Sequence, residues 1–143
     1  MAARNGATKL LQSMWKLIIE DYKGFDRCMK EVLIISGGNG KCVAEMKVEE
    51  QHTNKGGTLH GGLSASLVDM VSTLALLTHE RQAPGVSVNI GVSYLKAAKI
   101  GEEIVIEAST SKVGKTLAFL TVDIRNKATG DLIAQGTHTK YLG

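Results

Sequence analysis

The stretch GLSASLVDMVSTLALLTH, residues 62–79, decides the fold. Leu63, Ala65, Leu67, Val68, Met70, Val71, Leu74, Ala75, Leu76 and Leu77 leave it no wide polar face, and a helix apolar nearly all round is a buried one. A single long buried helix needs a surface that surrounds it, which a strongly curved antiparallel sheet supplies. The flanks provide the strands. Residues 31–36 and 41–48 read as a pair joined by Gly37-Gly38-Asn39-Gly40, a turn in which every residue tolerates positive φ. Residues 49–60 are polar and glycine-containing, hence loop. Residues 86–95, 104–112, 116–126 and 132–142 are four further β-rich runs, and the short connections at 113–115 and 127–131 make the last three antiparallel neighbours. Upstream, residues 8–22 read as an amphipathic helix on Leu10, Met14, Leu17 and Ile18. The expectation is an α+β domain spanning 1–143, a curved antiparallel sheet around one central helix, with a helical segment over 1–24.

Composition narrows the function classes. The chain has 143 residues, 43% hydrophobic and 22% charged, which suits one soluble globular core. Its net charge of +3 comes from Lys and Arg scattered among acids, unlike the concentrated basic block of a nucleic-acid binder. No apolar run reaches the ~18 residues of a membrane span. Cys28 and Cys42 stand apart with no CxxC, so both are expected to be buried free thiols in a reducing compartment. At the N-terminus Arg4, Lys9 and Lys16 precede the first acid, Glu20. A mitochondrial transit peptide is similarly basic and acid-poor, although the scarcity of arginine favours an ordinary surface helix. The expected location is the cytosol, the mitochondrion, or both.

The sharpest anomaly is Asp69, an acid inside the most apolar segment of the chain, where a lone carboxylate is costly. At 100° per residue it shares one stripe with Gly62, Ser66 and Thr73. The loop before the helix supplies Asn54, Gly56, Gly57, His60, Gly61 and Gly62: an amide, an imidazole and several unhindered backbone N–H groups. Such groups polarise a carbonyl and stabilise its oxyanion. The plainer alternative is a structural acid satisfied by Ser66 or Thr73, or simply a solvated edge, beside a flexible loop and helix cap. Gly61 and Asp69 lie about 12 Å apart along a helix axis, too far to act on one carbon. Two such helices packed antiparallel about a two-fold axis would bring Gly61 of one chain to Asp69 of the other.

Other motifs fail. Gly114-Lys115-Thr116 lacks the first glycine of a phosphate loop, where Ser109 stands. Ser64 and Ser66 lack a nucleophile elbow, and His52, His60, His79 and His138 show no zinc spacing. Lys96, Lys99, Lys112 and Lys115 fall at strand ends that could line one rim and meet phosphates, or could be a solvated basic surface. Trp15 and the first helix could roof a tunnel or simply pack in the core.

The run from Val48 through His52-Thr53-Asn54 and Gly57-Thr58-Leu59-His60-Gly61-Gly62 to Leu67-Val68-Asp69 resembles the core motif of the phenylacetyl-CoA-type hot-dog thioesterases. That resemblance implies a hot-dog fold, hydrolysis of fatty acyl-CoA, no metal or cofactor, and a homodimer that pairs again into a tetramer. It also implies roles. The Gly61 N–H would bind the thioester carbonyl with help from Asn54, while Asp69 of the partner would activate water held by Ser87. Coenzyme A contacts would come from Glu50, Ser87, Asn89, Tyr94, Leu95, Lys96, Ala97, Ala98 and Lys99. A second set would be Lys112, Val113, Gly114, Lys115, Thr116 and Leu117. Two positions depart from the family pattern: Ala97 stands where proline is usual, and Asn89 where an acid is expected. The competing readings are a hot-dog enoyl-CoA hydratase or dehydratase using His52 or His60 as acid and base, and a non-catalytic acyl-CoA binding protein.

Overall fold

Asn39 (φ 53°) and Gly40 (φ 77°) reverse the chain between β1 (Leu33–Gly38) and β2 (Lys41–Lys47), as their tolerance of the left-handed region requires. The computed structural model describes residues 2–143, with side chains from Gly6 onward. The remaining elements are α1 (Ala2–Glu20), α2 (Gly61–Leu77), β3 (Val86–Tyr94), β4 (Glu103–Val113), β5 (Leu117–Asn126) and β6 (Leu132–Tyr141). Two short 3₁₀ turns, Phe25–Met29 and Glu50–His52, sit in the loops.

The strands form one antiparallel sheet in the order β1-β2-β4-β5-β6-β3. The sheet packs around α2, which touches every strand, so the expected α+β hot-dog arrangement is what the chain adopts. The apolar positions of residues 62–79 explain why. Leu67, Val68, Val71, Leu74 and Ala75 are fully buried against Ala44, Met46, Ile104, Ile106, Val122, Ile124 and Ala134 of the sheet. Gly136 on β6 allows the closest approach: a Cβ there would stand 2.6 Å from Val68 Cγ2.

Helix α1 forms, but the face it buries differs from the expected one. Leu11 and Trp15 are buried and Met14, Ile18 and Ile19 half-buried, whereas Leu10 and Leu17 face solvent. The reason lies in what the helix covers. It runs along the outer edge of β1, where Gln12 Nε2 donates to the Ile34 carbonyl at 2.9 Å and Trp15 Nε1 to the Val32 carbonyl at 3.1 Å. Thr8 Oγ1 accepts from the Gly37 N–H at 3.2 Å. Thr8, Gln12 and Trp15 therefore satisfy backbone groups that an edge strand leaves bare. Trp15 packs in the core. Trp15→Phe keeps most of the packing and removes that one buried bond, so a loss of about 1 kcal/mol is expected in chemical denaturation.

Cys42 is buried, and burial pushes its thiol up to about 12. Cys28 is exposed, against expectation, because the Phe25–Met29 turn points Met29 inward instead. Among the described residues no helix is long and apolar enough to cross a membrane.

Candidate functional site

His60 starts α2. Its backbone is still extended (φ −63°, ψ 130°), and its Nδ1 accepts the Gly62 N–H at 2.8 Å. Gly62 is required for this cap, since a Cβ would lie 2.9 Å from the same nitrogen. Gly61, the first helical residue, has no carbonyl one turn behind it, and its N–H has no partner among the described residues. The Tyr94 hydroxyl donates to the Gly61 carbonyl at 2.7 Å, tying the first turn of α2 to the end of β3. Asn54 shapes the preceding loop: its Oδ1 accepts the N–H groups of Gly56 at 3.0 Å and Thr58 at 3.3 Å. Asn54, Gly61, Tyr94, Leu95, Lys96 and Ala97 line one open cleft of about 430 Å³. The N–H of Gly61, added to the positive end of the helix, makes this mouth suited to a carbonyl that gains negative charge.

Asp69 lies two turns further along α2, in a second cluster. Its side chain is 40% exposed, with Oδ1 3.8 Å from Nε2 of the fully buried His138. The carboxylate takes no hydrogen bond from Ser66 or Thr73, and its exposure matches the solvated-edge alternative instead. The Ser66 hydroxyl donates to the Gly62 carbonyl, while those of Ser72 and Thr73 donate to the Asp69 main-chain carbonyl. His138 bridges outward from there: Nδ1 is 2.7 Å from Ser72 Oγ and Nε2 is 2.8 Å from Ser87 Oγ. Lys140, also buried, donates to Thr73 Oγ1 at 2.6 Å. Sequence reasoning missed His138, Ser72 and Lys140. The available signal was strand alternation, because Gly136, His138 and Lys140 share the inner face of β6 and two of them are polar.

Burial and the neighbouring Lys140 ammonium hold His138 below the ordinary imidazole range of 6.5, with Asp69 pulling weakly the other way. Burial likewise lowers Lys140, again opposed by Asp69. Asp26, on the Phe25–Met29 turn, is raised by burial and then by Asp69. For His138 the unfolded chain takes up a proton near pH 6.5 and the folded one resists it. The stability it contributes is therefore complete above about pH 6.5 and declines as pH falls below that value. Urea midpoints measured between about pH 5 and pH 7 should show this slope, and His138→Asn should flatten it. An unchanged slope in the variant would assign it to other groups.

The remaining expected contacts divide between the two ends of the sheet. Tyr94, Leu95, Lys96, Ala97 and Lys99 follow the end of β3, and Glu50 lies exposed in the Glu50–His52 turn at the same end. Lys96 is ion-paired with Asp131. Ala98 is buried, its carbonyl taken by the Leu59 N–H, so its side chain does not reach the rim. Lys112, Val113, Gly114, Lys115, Thr116 and Leu117 form the β4–β5 turn at the opposite end, where Arg81 holds the Gly114 and Lys115 carbonyls. The four lysines thus do not share one rim within a chain. A bulge at Val88 separates two more positions. Ser87 pairs with Lys140 on the inner face, and Asn89 pairs with Thr139 in an outer row shared with Phe119 and Lys112.

The two histidines of the acid–base alternative sit differently. His52 is 2% exposed with both ring nitrogens engaged, by the Glu49 N–H and by Glu31, and His60 serves as the helix cap.

The thioesterase superfamily model matches residues 56–133. Acyl-coenzyme A thioesterase 13 of Mus musculus is 57% identical over 95% of this chain and 96% of its own length. The crystal structure of zebra fish thioesterase superfamily member 2 is 55% identical, covers 95% of this chain and 98% of that one, and superposes with a TM-score of 0.93. A hypothetical thioesterase protein from Streptococcus pneumoniae, solved with coenzyme A, is 26% identical over 82% of this chain and 89% of its own, with a TM-score of 0.77.

Proposed function

The chain belongs to the thioesterase superfamily and is a thioester hydrolase, and from that premise we propose that it hydrolyses medium- to long-chain fatty acyl-CoA at sites shared between two subunits. The observation that carries the shared site is the separation of its halves. Asn54, Gly61 and Tyr94 lie at one end of the sheet, and Asp69, Ser87 and the Lys112-to-Leu117 turn lie toward the other. One sheet edge is sealed by α1, whereas β3 at the other edge has no strand beside it among the described residues. Val86 and Val88 stand exposed on that strand. Two β3 edges pairing antiparallel about a two-fold axis continue the sheet and lay one chain's first end beside the partner's second. Both sites are then completed at once.

Within such a site the thioester carbonyl accepts the Gly61 N–H, with Tyr94 tethering the first turn of the helix and Asn54 shaping the loop that precedes it. Water lies between Asp69 and Ser87 of the partner. Because the Ser72 proton goes to the Asp69 carbonyl, His138 Nδ1–H donates to Ser72 and Nε2 accepts the Ser87 hydroxyl proton. Ser87 Oγ is left as an acceptor for one water proton while the Asp69 carboxylate takes the other. Attack on the carbonyl carbon forms a C–O bond and an oxyanion at Gly61. Collapse breaks the C–S bond, and the thiolate of coenzyme A leaves with the proton that Asp69 received. Lys112 and Lys115 of the partner and Lys99 of the first chain then meet the phosphates of coenzyme A. The assembly is a homodimer that pairs again to a tetramer, and the compartment is the cytosol, the mitochondrion, or both.

Release of free thiol across acyl-CoAs from acetyl to palmitoyl, with one aromatic ester, tests this reading. A rise in kcat/KM toward the longer chains is expected; turnover confined to the aromatic ester would reject the fatty acyl assignment. Sharing is tested by mixing Asp69→Ala with Gly61→Leu. A mixed dimer has one intact site and should recover activity, whereas none despite confirmed mixing would exclude a shared site.

A further inference from the structure

We propose that Glu31 and His52 are a positioning pair that fixes the loop over residues 53–60, and through it the Gly61 N–H, for the hydrolysis proposed above. The inference rests on that reading of Gly61. Neither side chain lines the cleft, and neither takes part in the hydrolysis proposed above.

The geometry runs through both the ring and the backbone of His52. The Glu49 N–H donates to Nδ1 at 3.0 Å, so that nitrogen is the unprotonated one. Nε2–H is therefore left to donate to Glu31 Oε2, 3.2 Å away and two residues before β1. Glu31 also accepts from Gln51 Nε2 at 3.0 Å. Burial raises the Glu31 carboxyl, but the hydrogen bonds from His52 and Gln51 outweigh it and hold the group below its ordinary range. The ring is thus locked, 2% exposed, between two neighbours.

The His52 carbonyl accepts the His60 N–H at 2.9 Å, one residue before Gly61. Between those two residues the chain folds back on itself, with Thr53 bridged to Leu59 and the Asn54 N–H donating to the Thr58 carbonyl at 2.8 Å. The tip, at Asn54, Lys55 and Gly56, is exposed, and its own hydrogen bonds stay inside the loop. Two rigid anchors remain: Leu59, whose N–H donates to the Ala98 carbonyl at 2.8 Å, and His52. A shift of His52 is passed directly to His60, and so to the cap and the first amide of α2. Displacing a reacting group by about 1 Å can lower a rate by about 10²-fold.

The test uses the full chain with Glu31→Ala, Glu31→Gln and His52→Asn. Asparagine keeps an acceptor for the Glu49 N–H but cannot reach Glu31. Steady-state thiol release gives kcat and KM separately, and amide hydrogen exchange reads the His60 N–H without substrate. Glu31→Ala and His52→Asn should each lower kcat by about 10–100-fold with KM within about threefold, and should speed exchange at His60. Glu31→Gln keeps an acceptor for Nε2–H and should restore both to near the wild-type values. Wild-type kcat and wild-type exchange in Glu31→Ala overturn the proposal. So does a lower melting temperature with kcat unchanged, which would make the pair structural only. If the wild-type protein itself releases no thiol, the hydrolysis reading fails, and the exchange measurement still decides whether the pair holds the loop.

Discussion

Asp69→Ala lowers kcat for acyl-CoA hydrolysis by about 10²–10⁴-fold, the range expected when a general base is removed, with KM changed much less. The protein should nevertheless melt within a few degrees of wild type. Its carboxylate is 40% exposed, and the hydrogen bonds that knit α2 to β6 at this level join Ser72 to His138 and Lys140 to Thr73, which the substitution retains. Asp69→Asn is the finer probe, keeping shape and removing only basicity, and should be as inactive as alanine. Thiol release gives the rate and a circular-dichroism melt gives the fold. Turnover within tenfold of wild type in either variant would remove Asp69 from the chemistry and leave water activation to some other group.

Gly136→Ala destabilises the fold by about 2–3 kcal/mol, the cost of forcing a methyl into a filled core. The new Cβ would lie 2.6 and 2.7 Å from the two methyls of Val68, on the helix that the sheet surrounds. Neither side can yield easily. Gly136 is mid-strand and paired on both sides, with Val92 and Val122, and Val68 is fully buried. Val68→Ala alone also destabilises, because it leaves a void. Combined, the added methyl occupies the space of the removed ones, so the double variant should be about 1–2 kcal/mol more stable than the sum predicts. Urea denaturation of the four proteins closes the cycle. Strict additivity would show that the two residues are not in contact.

Much of this architecture was legible in the sequence, for a physical reason. Residues 62–79 carry too few polar groups to face water, and six β-rich runs with short turns leave one arrangement that buries them. The hairpin at Gly37-Gly38-Asn39-Gly40 was readable because positive φ restricts residue choice so strongly. The face of α1 was not. Leu10 and Leu17 fit an apolar stripe as well as Leu11 and Trp15 do, and what selects between them is the β1 edge, which periodicity cannot see. Cys28 was misplaced likewise, since a five-residue 3₁₀ turn has no repeat from which to read its inward side. At the site, Asp69 and the glycine turn stood out because each breaks a local rule. His138 breaks none. A histidine flanked by threonines on a strand is ordinary, and its position beside Ser72 and Ser87 depends on pairings 66 and 51 residues distant. The lysine rim was misjudged because residues 94–99 and 112–117 are near in sequence but end strands that run in opposite senses.

The way α1 lies along β1 also governs how far assembly can proceed. A sheet with two bare edges adds copies without end, since every new strand pair exposes another edge, and the product is a fibre. Here Thr8, Gln12 and Trp15 occupy the outward backbone groups of one edge, so growth through the other must stop after a single pairing. On the β3 pairing proposed above, the helix acts as a terminator of polymerisation. Trimming it should convert a closed pair into an open-ended, insoluble ladder, even though no residue of the catalytic cluster has been touched.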